Sequence, residues 1–273
     1  MPSAANSKAL LKVLYRLALA PIRGESHAER LESFYRDQAD LYDRSRAGLL
    51  RGRRELMELL PVPDAGVWVE MGGGTGANLE HLGQRRSRLS KVYLVDLSPS
   101  LLDVARRRKE TLGWTNVELV QADATTFAPP VGAVDIVTFS YSLTMIPDWF
   151  SAIDRVWELL RPGGVIGVVD FYVSRKHPAP GRTRHPWLTR AFWPAWFAFD
   201  NVFPSPDHVE YLHQRFEPVH FSEHRGGIKH PPIARVPYYR FIGTKAPEKP
   251  HPHDTIAPVR ETQPTPPPSS RRS

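Results

Sequence analysis

The stretch VWVEMGGGTGAN, residues 67–78, decides the fold. Residues 67–70 read as a strand, a glycine loop follows, and a helix is expected through Leu82. Gly72, Gly74 and Gly76 let the backbone approach a ligand closely, and the helix N-terminus beyond offers unpaired N–H groups. The spacing is G-x-G-x-G, which departs from the G-x-G-x-x-G dinucleotide pattern. The alternation continues outward. Residues 92–96 read as a second strand and 99–112 as a helix capped by Ser98. Residues 117–121, 134–140 and 165–171 read as three more strands. Residues 149–160 form the helix before the last of these, closed by RPGG at 161–164. Residues 216–221 and 236–244 look like two final strands. Strands and helices joined by short links predict a doubly wound, mostly parallel α/β sheet.

Two acidic residues fall at the ends of predicted strands. Asp96 stands 20 residues beyond Gly76, where a carboxylate accepts both hydroxyls of a ribose. Asp123, in QADAT at 121–125, is placed to accept from an exocyclic adenine amine, with the Ala124 N–H nearby. A glycine loop alone is a weak signal. Three features in order at successive strand ends point to an adenosine-containing ligand.

Composition narrows the rest. The 273 residues suit one large domain or two small ones. The absence of cysteine removes disulfides, thiolate metal sites, Fe–S clusters and a cysteine nucleophile, and fits a reducing compartment. The net charge of +7 permits an anionic partner without demanding one. Residues 1–24 hold a basic amphipathic helix, with Lys8, Lys12 and Arg16 on one stripe and Leu10, Leu11, Leu14 and Leu17 opposite. Such a helix lies in a lipid interface or docks on its own domain. Its apolar stretch is broken by Lys12 and Arg16, so no signal peptide is expected. Residues 25–245 form the globular domain, and 246–273, rich in proline, a disordered tail. The segment 172–203 reads as a long insertion, the kind that becomes a lid or binding element. It carries Trp187, Phe192, Trp193, Trp196, Phe197 and Phe199, with Arg184 and Arg190 beside them. A buried cap over the site competes with an acyl groove or interfacial anchor. No H-E-x-x-H pair or G-x-S-x-G elbow is present, so neither a metal nor acyl hydrolysis is expected. His185 and His224 are outside candidates for substrate contact. The basic residues are spread out, and no nucleic-acid partner is expected.

Over roughly residues 34–246 the chain resembles the class I S-adenosylmethionine-dependent methyltransferases. The resemblance rests on Glu70 before the glycine loop, Asp96, Asp123 with Ala124, and LLRPGG at 159–164. It implies a Rossmann-like, mostly parallel sheet with a C-terminal antiparallel strand, and S-adenosyl-L-methionine as cofactor. The cofactor residues it implies are Tyr42, Glu70, Gly72, Gly74, Gly76, Asn78, Asp96, Leu97, Asp123, Ala124 and Ser140. FSYSLTMIPDW, residues 139–149, would face the sulfonium and the acceptor.

Narrower strings are similar to the betaine-lipid methyltransferases: FYRDQADLYDRSR (34–46), LLRGRRELM (49–57), the aromatic insertion and RVPYYRFIG (235–243). Those enzymes methylate the amine of diacylglyceryl-homoserine three times. The resemblance implies a cytoplasmic enzyme, peripheral on the inner membrane face, working on a lipid or membrane-surface acceptor. In some members an aminocarboxypropyl transferase shares the polypeptide; here that partner would be a separate chain. A free amine in an apolar pocket loses its proton because burial disfavours the charge, and aromatic faces stabilise the methylated cation. Tyr42, Tyr141 and Tyr239 are the catalytic candidates. Tyr35, Arg46, Trp149, Trp193 and Tyr238 are the substrate-binding ones. For the carboxylate clamp, Arg46, Arg235 and Arg240 compete. Phosphatidylethanolamine or a quinone-like hydrophobe is the runner-up acceptor. A non-catalytic membrane-surface binding protein is the alternative of another class.

Overall fold

Short apolar runs supply the central strands. The computed structural model describes residues 24–227 and 235–246. In it, β1 (Val67–Met71) is buried from Trp68 onward. A parallel strand covered by helices on both faces requires this. β2 (Lys91–Asp96), β3 (Val117–Gln121), β4 (Val134–Ser140), β5 (Leu160–Phe171), β6 (Glu217–Gly227) and β7 (Arg235–Thr244) complete a seven-stranded sheet. Its order is β3-β2-β1-β4-β5-β7-β6. β1 to β5 pair in parallel, and β7 runs antiparallel to β5 and β6. The chain therefore places its last strand between two earlier ones.

Alternation along each strand divides the core. Trp68, Val92, Leu94 and Ile136 pack with Leu56 and Met57 of α3 (Arg53–Leu59) and with Leu102 and Ala105 of α5 (Pro99–Thr111). Val69, Val95, Val137 and Phe139 pack with Ile153 and Val156 of α6 (Trp149–Leu159) and Leu212 of α8 (His208–Arg215). α5 begins where Ser98 accepts from the Leu101 N–H at 3.3 Å, with proline in its first turn. α6 begins where Asp148 accepts from the Ser151 N–H at 3.2 Å, and it buries Ala152, Ile153, Val156 and Leu159 on one face. α1 (His27–Tyr35) and α2 (Tyr42–Arg46) lie across the carboxyl ends of the strands, against Leu101 and Met145.

Three local expectations change. The helix after the glycine loop, α4, covers only Ala77–Glu80 and gives way to a 3-10 turn at Gly83–Arg88; Gly83 has φ +53, which ends a right-handed helix. RPGG does not precede β5 but belongs to it. Leu160 already pairs with Val134, and Arg161 to Gly163, exposed, with the buried Gly164 form an irregularity before Val165 pairs with Ile136. The insertion contains a helix, α7 (Trp187–Ala198), with Pro194 inside it. The expected N-terminal helix lies outside the described residues, as do residues 247–273 of the expected tail. Among the described residues, no helix is long and apolar enough to cross a membrane.

Candidate active site

The strand order reverses between β1 and β4, and a crevice opens beyond their carboxyl ends. It holds a cavity of about 280 Å3. Gly72, Gly73, Gly74 and Thr75 form one wall; Asp96, Leu97, Asp123 and Ala124 stand at the ends of neighbouring strands. Gly72 and Gly74 have φ +66 and +55, a region nearly closed to residues with a Cβ. At Gly72 an added Cβ would lie 2.4 Å from Ser142 Cβ. At Gly74 it would meet nothing nearer than Leu101 and Asp96, at 3.8 and 3.9 Å, so the missing side chain leaves room at the wall.

Asp96 is fixed by the backbone. The Gly74 N–H donates to Oδ2 and the Ser98 N–H to Oδ1, each at 2.8 Å. Burial still outweighs these bonds and pushes its carboxyl up to about 6. Asp123 is tied into its own turn, accepting from the Thr125 N–H at 2.8 Å and the Thr125 hydroxyl at 2.7 Å. Glu70 stands behind the wall, fully buried, with the Gly73 backbone against it. Its Oε1 accepts from Asn78 Nδ2, while its Oε2 is buried with no partner. Burial pushes this carboxyl up to about 7.

A narrow annex of about 20 Å3 adjoins the cavity. The two share Tyr35, Tyr42, Leu50, Tyr141 and Met145 as walls. Phe34, Phe171 and Phe197 close the far side, and Arg46 is the one cation among the described lining residues. Arg46 reaches Asp200 at 3.4 Å and lies 5.9 and 5.8 Å from the Phe34 and Tyr42 ring centres. Its Nε is buried with no partner. Tyr141 follows β4 with φ +57 and donates from its hydroxyl to the Arg51 carbonyl. Phe171 packs 4.4 Å from Tyr141 and stacks on Phe197 at 4.6 Å. Thr144 is held from behind by Asp170, whose Oδ1 accepts from its hydroxyl at 2.8 Å. The annex wall contains no carboxylate and no histidine.

Tyr42, Gly72, Gly74, Asn78, Asp96, Leu97, Asp123, Ala124 and Ser140 thus share one cavity, and Tyr35, Tyr42, Tyr141 and Arg46 meet at the annex. Six other sequence candidates do not reach either wall. Glu70 lies behind Asn78. Gly76 (φ +73) serves packing, since a Cβ there would sit 3.0 Å from Leu94. Tyr239 is wholly buried, facing Tyr172, and its hydroxyl has no partner. Tyr238 stacks on His224 at 5.0 Å. Trp149 packs on Phe150, His208 and Tyr211, and Trp193 is buried against Phe197. Of the outside candidates, His185 is buried, accepting from the Ser174 N–H at 3.0 Å, and Arg240 is paired with His224.

Several wall residues carried no earlier assignment. Arg53 donates from Nε to Asn78 Oδ1 at 2.5 Å. His27 also lines the cavity, as do Met145 and Asp148 of the 139–149 segment expected to face the acceptor, the last also capping α6. Arg53 sits in LLRGRRELM, a string whose resemblance was visible without its role. The donor set suits S-adenosylmethionine. A carboxylate at the end of β2, a loop opened by glycine and the unpartnered buried hydroxyl of Ser140 can receive its ribose and its amino-acid end, with Glu70 holding Asn78 from behind.

Residues 69–164 match the family model described as a methyltransferase domain. A ubiquinone/menaquinone biosynthesis C-methyltransferase UbiE of Escherichia coli is 27% identical over 153 residues, which cover 54% of this chain and 61% of that protein. Its namesake in Hydrogenovibrio crunogenus is 27% identical over 122 residues, 44% of this chain and 47% of that protein. The chain therefore spans about half the length of the curated relatives it matches. Among solved structures, a Haemonchus contortus phosphoethanolamine N-methyltransferase complexed with phosphomonomethylethanolamine and S-adenosylhomocysteine is similar at TM-score 0.58 and 14% identity, over 79% of this chain and 60% of that one. At that identity the likeness is one of fold.

Proposed function

We propose that this chain, whose fold and matched domain are those of the class I S-adenosylmethionine-dependent methyltransferases, transfers methyl groups to the amine of a membrane lipid. The acceptor that fits most specifically is diacylglyceryl-homoserine, carried to its trimethylated betaine. One observation carries this choice: a ring-walled annex adjoins the donor cavity and contains a single guanidinium and no carboxylate.

Bound S-adenosylmethionine supplies a methyl group on a cationic sulfur and leaves as a neutral thioether, so no acid is needed for departure. Gly72 to Thr75 and Asn78 would hold its amino-acid end, Asp96 its ribose, and Asp123 with Ala124 its adenine. On the acceptor side the rings exclude water. An amine there loses its proton through desolvation, without a dedicated base. The faces of Tyr35, Tyr42 and Tyr141 then favour the cation that grows with each methyl, by about 0.5–2 kcal/mol per ring. Arg46, paired with Asp200, would exchange or share that partner with the homoserine carboxylate. The annex, at about 20 Å3, takes about one water-sized group, so the amine would sit in the donor cavity beside the shared rings of Tyr35, Tyr42 and Tyr141, with the carboxylate turned toward Arg46 and the acyl chains outside.

A second reading follows from the curated relatives, which are quinone C-methyltransferases. Methylation at a ring carbon calls for a base that takes a phenolic proton; the annex wall holds none, and that role would fall to His27 or Asp148 on the donor-cavity wall. A head-to-head assay decides between them. The chain is given donor labelled in the methyl group and, in separate detergent micelles, diacylglyceryl-homoserine, phosphatidylethanolamine or a prenylated hydroquinone. Mass spectrometry should show one to three added methyls on the homoserine lipid alone. Label appearing only in the hydroquinone establishes the second reading. Label in phosphatidylethanolamine removes the betaine assignment.

A further inference from the structure

The exposed large hydrophobic side chains are not scattered. Of the ten among the described residues, six fall at Trp187, Leu188, Phe192, Trp196, Phe199 and Phe203. Scattered apolar residues need no explanation; a contiguous patch marks a contact surface. Leu188, Phe192, Trp196 and Phe199 recur at helical spacing and form one stripe on and just past α7. Trp187 and Phe199 are each 72% exposed. The opposite side of α7 does different work. Trp193 and Phe197 are buried, and Phe197 closes the annex, stacked on Phe171. One helix thus has its inner face on the acceptor space and its outer face in solvent.

Cations dominate the segment that carries this helix, with Asp200 just past it held by Arg46 and Arg175 paired with Asp207. Residues 171–199 contain Arg175, Lys176, Arg182, Arg184 and Arg190 and no Asp or Glu. Lys176 and Arg184 are exposed. Indole rings favour the boundary between water and lipid, and cations beside them favour anionic headgroups. A second copy of the same face would bring like charges together, which disfavours self-association.

We propose that the outer face of α7, with Phe199 and Phe203, is the docking surface for an anionic lipid bilayer. It sets the annex against the membrane, so a headgroup enters while its acyl chains stay among their neighbours. This deepens the lipid-acceptor reading, and its test uses no acceptor, so the two fail separately.

The full chain and a Trp187→Ser/Trp196→Ser/Phe199→Ser variant are floated with vesicles of phosphatidylcholine containing about one-third phosphatidylglycerol, and with phosphatidylcholine alone. Binding of S-adenosylhomocysteine reports folding, and sedimentation velocity reports association state. The unaltered chain should float with the anionic vesicles, and the variant should bind them about 30-fold more weakly with donor-product affinity unchanged. Lys176→Glu/Arg184→Glu should lower binding to anionic vesicles about tenfold. If the triple variant loses S-adenosylhomocysteine binding, Phe199→Ser alone is scored in its place, with a loss of about threefold expected. Vesicle binding unaffected by the substitutions overturns the proposal, as does equal binding to neutral vesicles. An unaltered chain that is dimeric, and a triple variant that is monomeric, would assign the face to a second copy instead.

Discussion

Gly72, Gly73, Gly74 and Thr75 come from one loop, and with Asp96 they form one wall of the donor cavity within a single βαβ unit. The annex draws Phe34, Arg46, Tyr141, Phe171, Phe197 and Val202 from α1, α2, the end of β4, the end of β5, α7 and the turn after it. The first wall is largely backbone, fixed by strand ends and by hydrogen bonds such as Gly74 N–H to Asp96. The second is made of side chains packed on one another. A backbone wall tolerates little change but survives sequence drift, because main-chain N–H groups are common to every residue. A side-chain wall is free to change its occupant. The donor end therefore announces a chemistry, and the annex selects what receives it.

That contrast can be broken most forcefully at Asp96. Asp96→Ala removes the ribose acceptor and releases two backbone N–H groups. It should weaken S-adenosylhomocysteine binding by about 1–3 kcal/mol, roughly ten- to hundredfold by calorimetry. Unchanged affinity would show that the carboxylate does not face the ribose. On the other side, Arg46→Gln should raise the acceptor KM about tenfold while donor affinity shifts by less than about twofold. If donor and acceptor constants move together, the two walls are not separable.

The smallest effect sharpens the electrostatics. Burial pushes the Glu70 carboxyl up to about 7, and the ammonium at the ligand's amino-acid end, held through Asn78, is favoured by its ionised form. Affinity for S-adenosylhomocysteine should therefore fall as pH drops through about 7 and level off above it. Asp96, raised to about 6, adds a step of the same sign at lower pH. Glu70→Gln should remove the upper step and leave the lower, a change of a few-fold by calorimetry between about pH 5.5 and about pH 8. An unaltered profile would disconnect Glu70 from the ligand.

Legibility followed the same division. β1, the glycine loop and Asp96 were readable because a strand, a turn and a strand-end carboxylate are local patterns. The inserted helix was read as a loop because Pro194 and the aromatic run hide its periodicity. Tyr238 and Tyr239 were both candidates, yet neighbours on a strand face opposite sides, and neither side of β7 meets the site. Trp193 and Phe197 lie one helical turn apart on the same face, but only the second reaches the annex. Nothing local separates them; the packing of Phe171 does. Arg46 was one of three arginines in contention, and it was singled out only by the way α2 crosses the strand ends.

The place of β7 between β5 and β6 has a consequence for synthesis. β5 is the strand that carries Phe171, and one of its edges has no partner until residues 235–244 arrive. While a nascent chain emerges, that edge stays open through the whole appearance of the greasy insertion and of β6. The segment most apt to be captured by another molecule is therefore displayed before the strand that shields its support. A chain terminated ahead of Arg235 would keep the glycine loop and leave that edge of β5 without its strand.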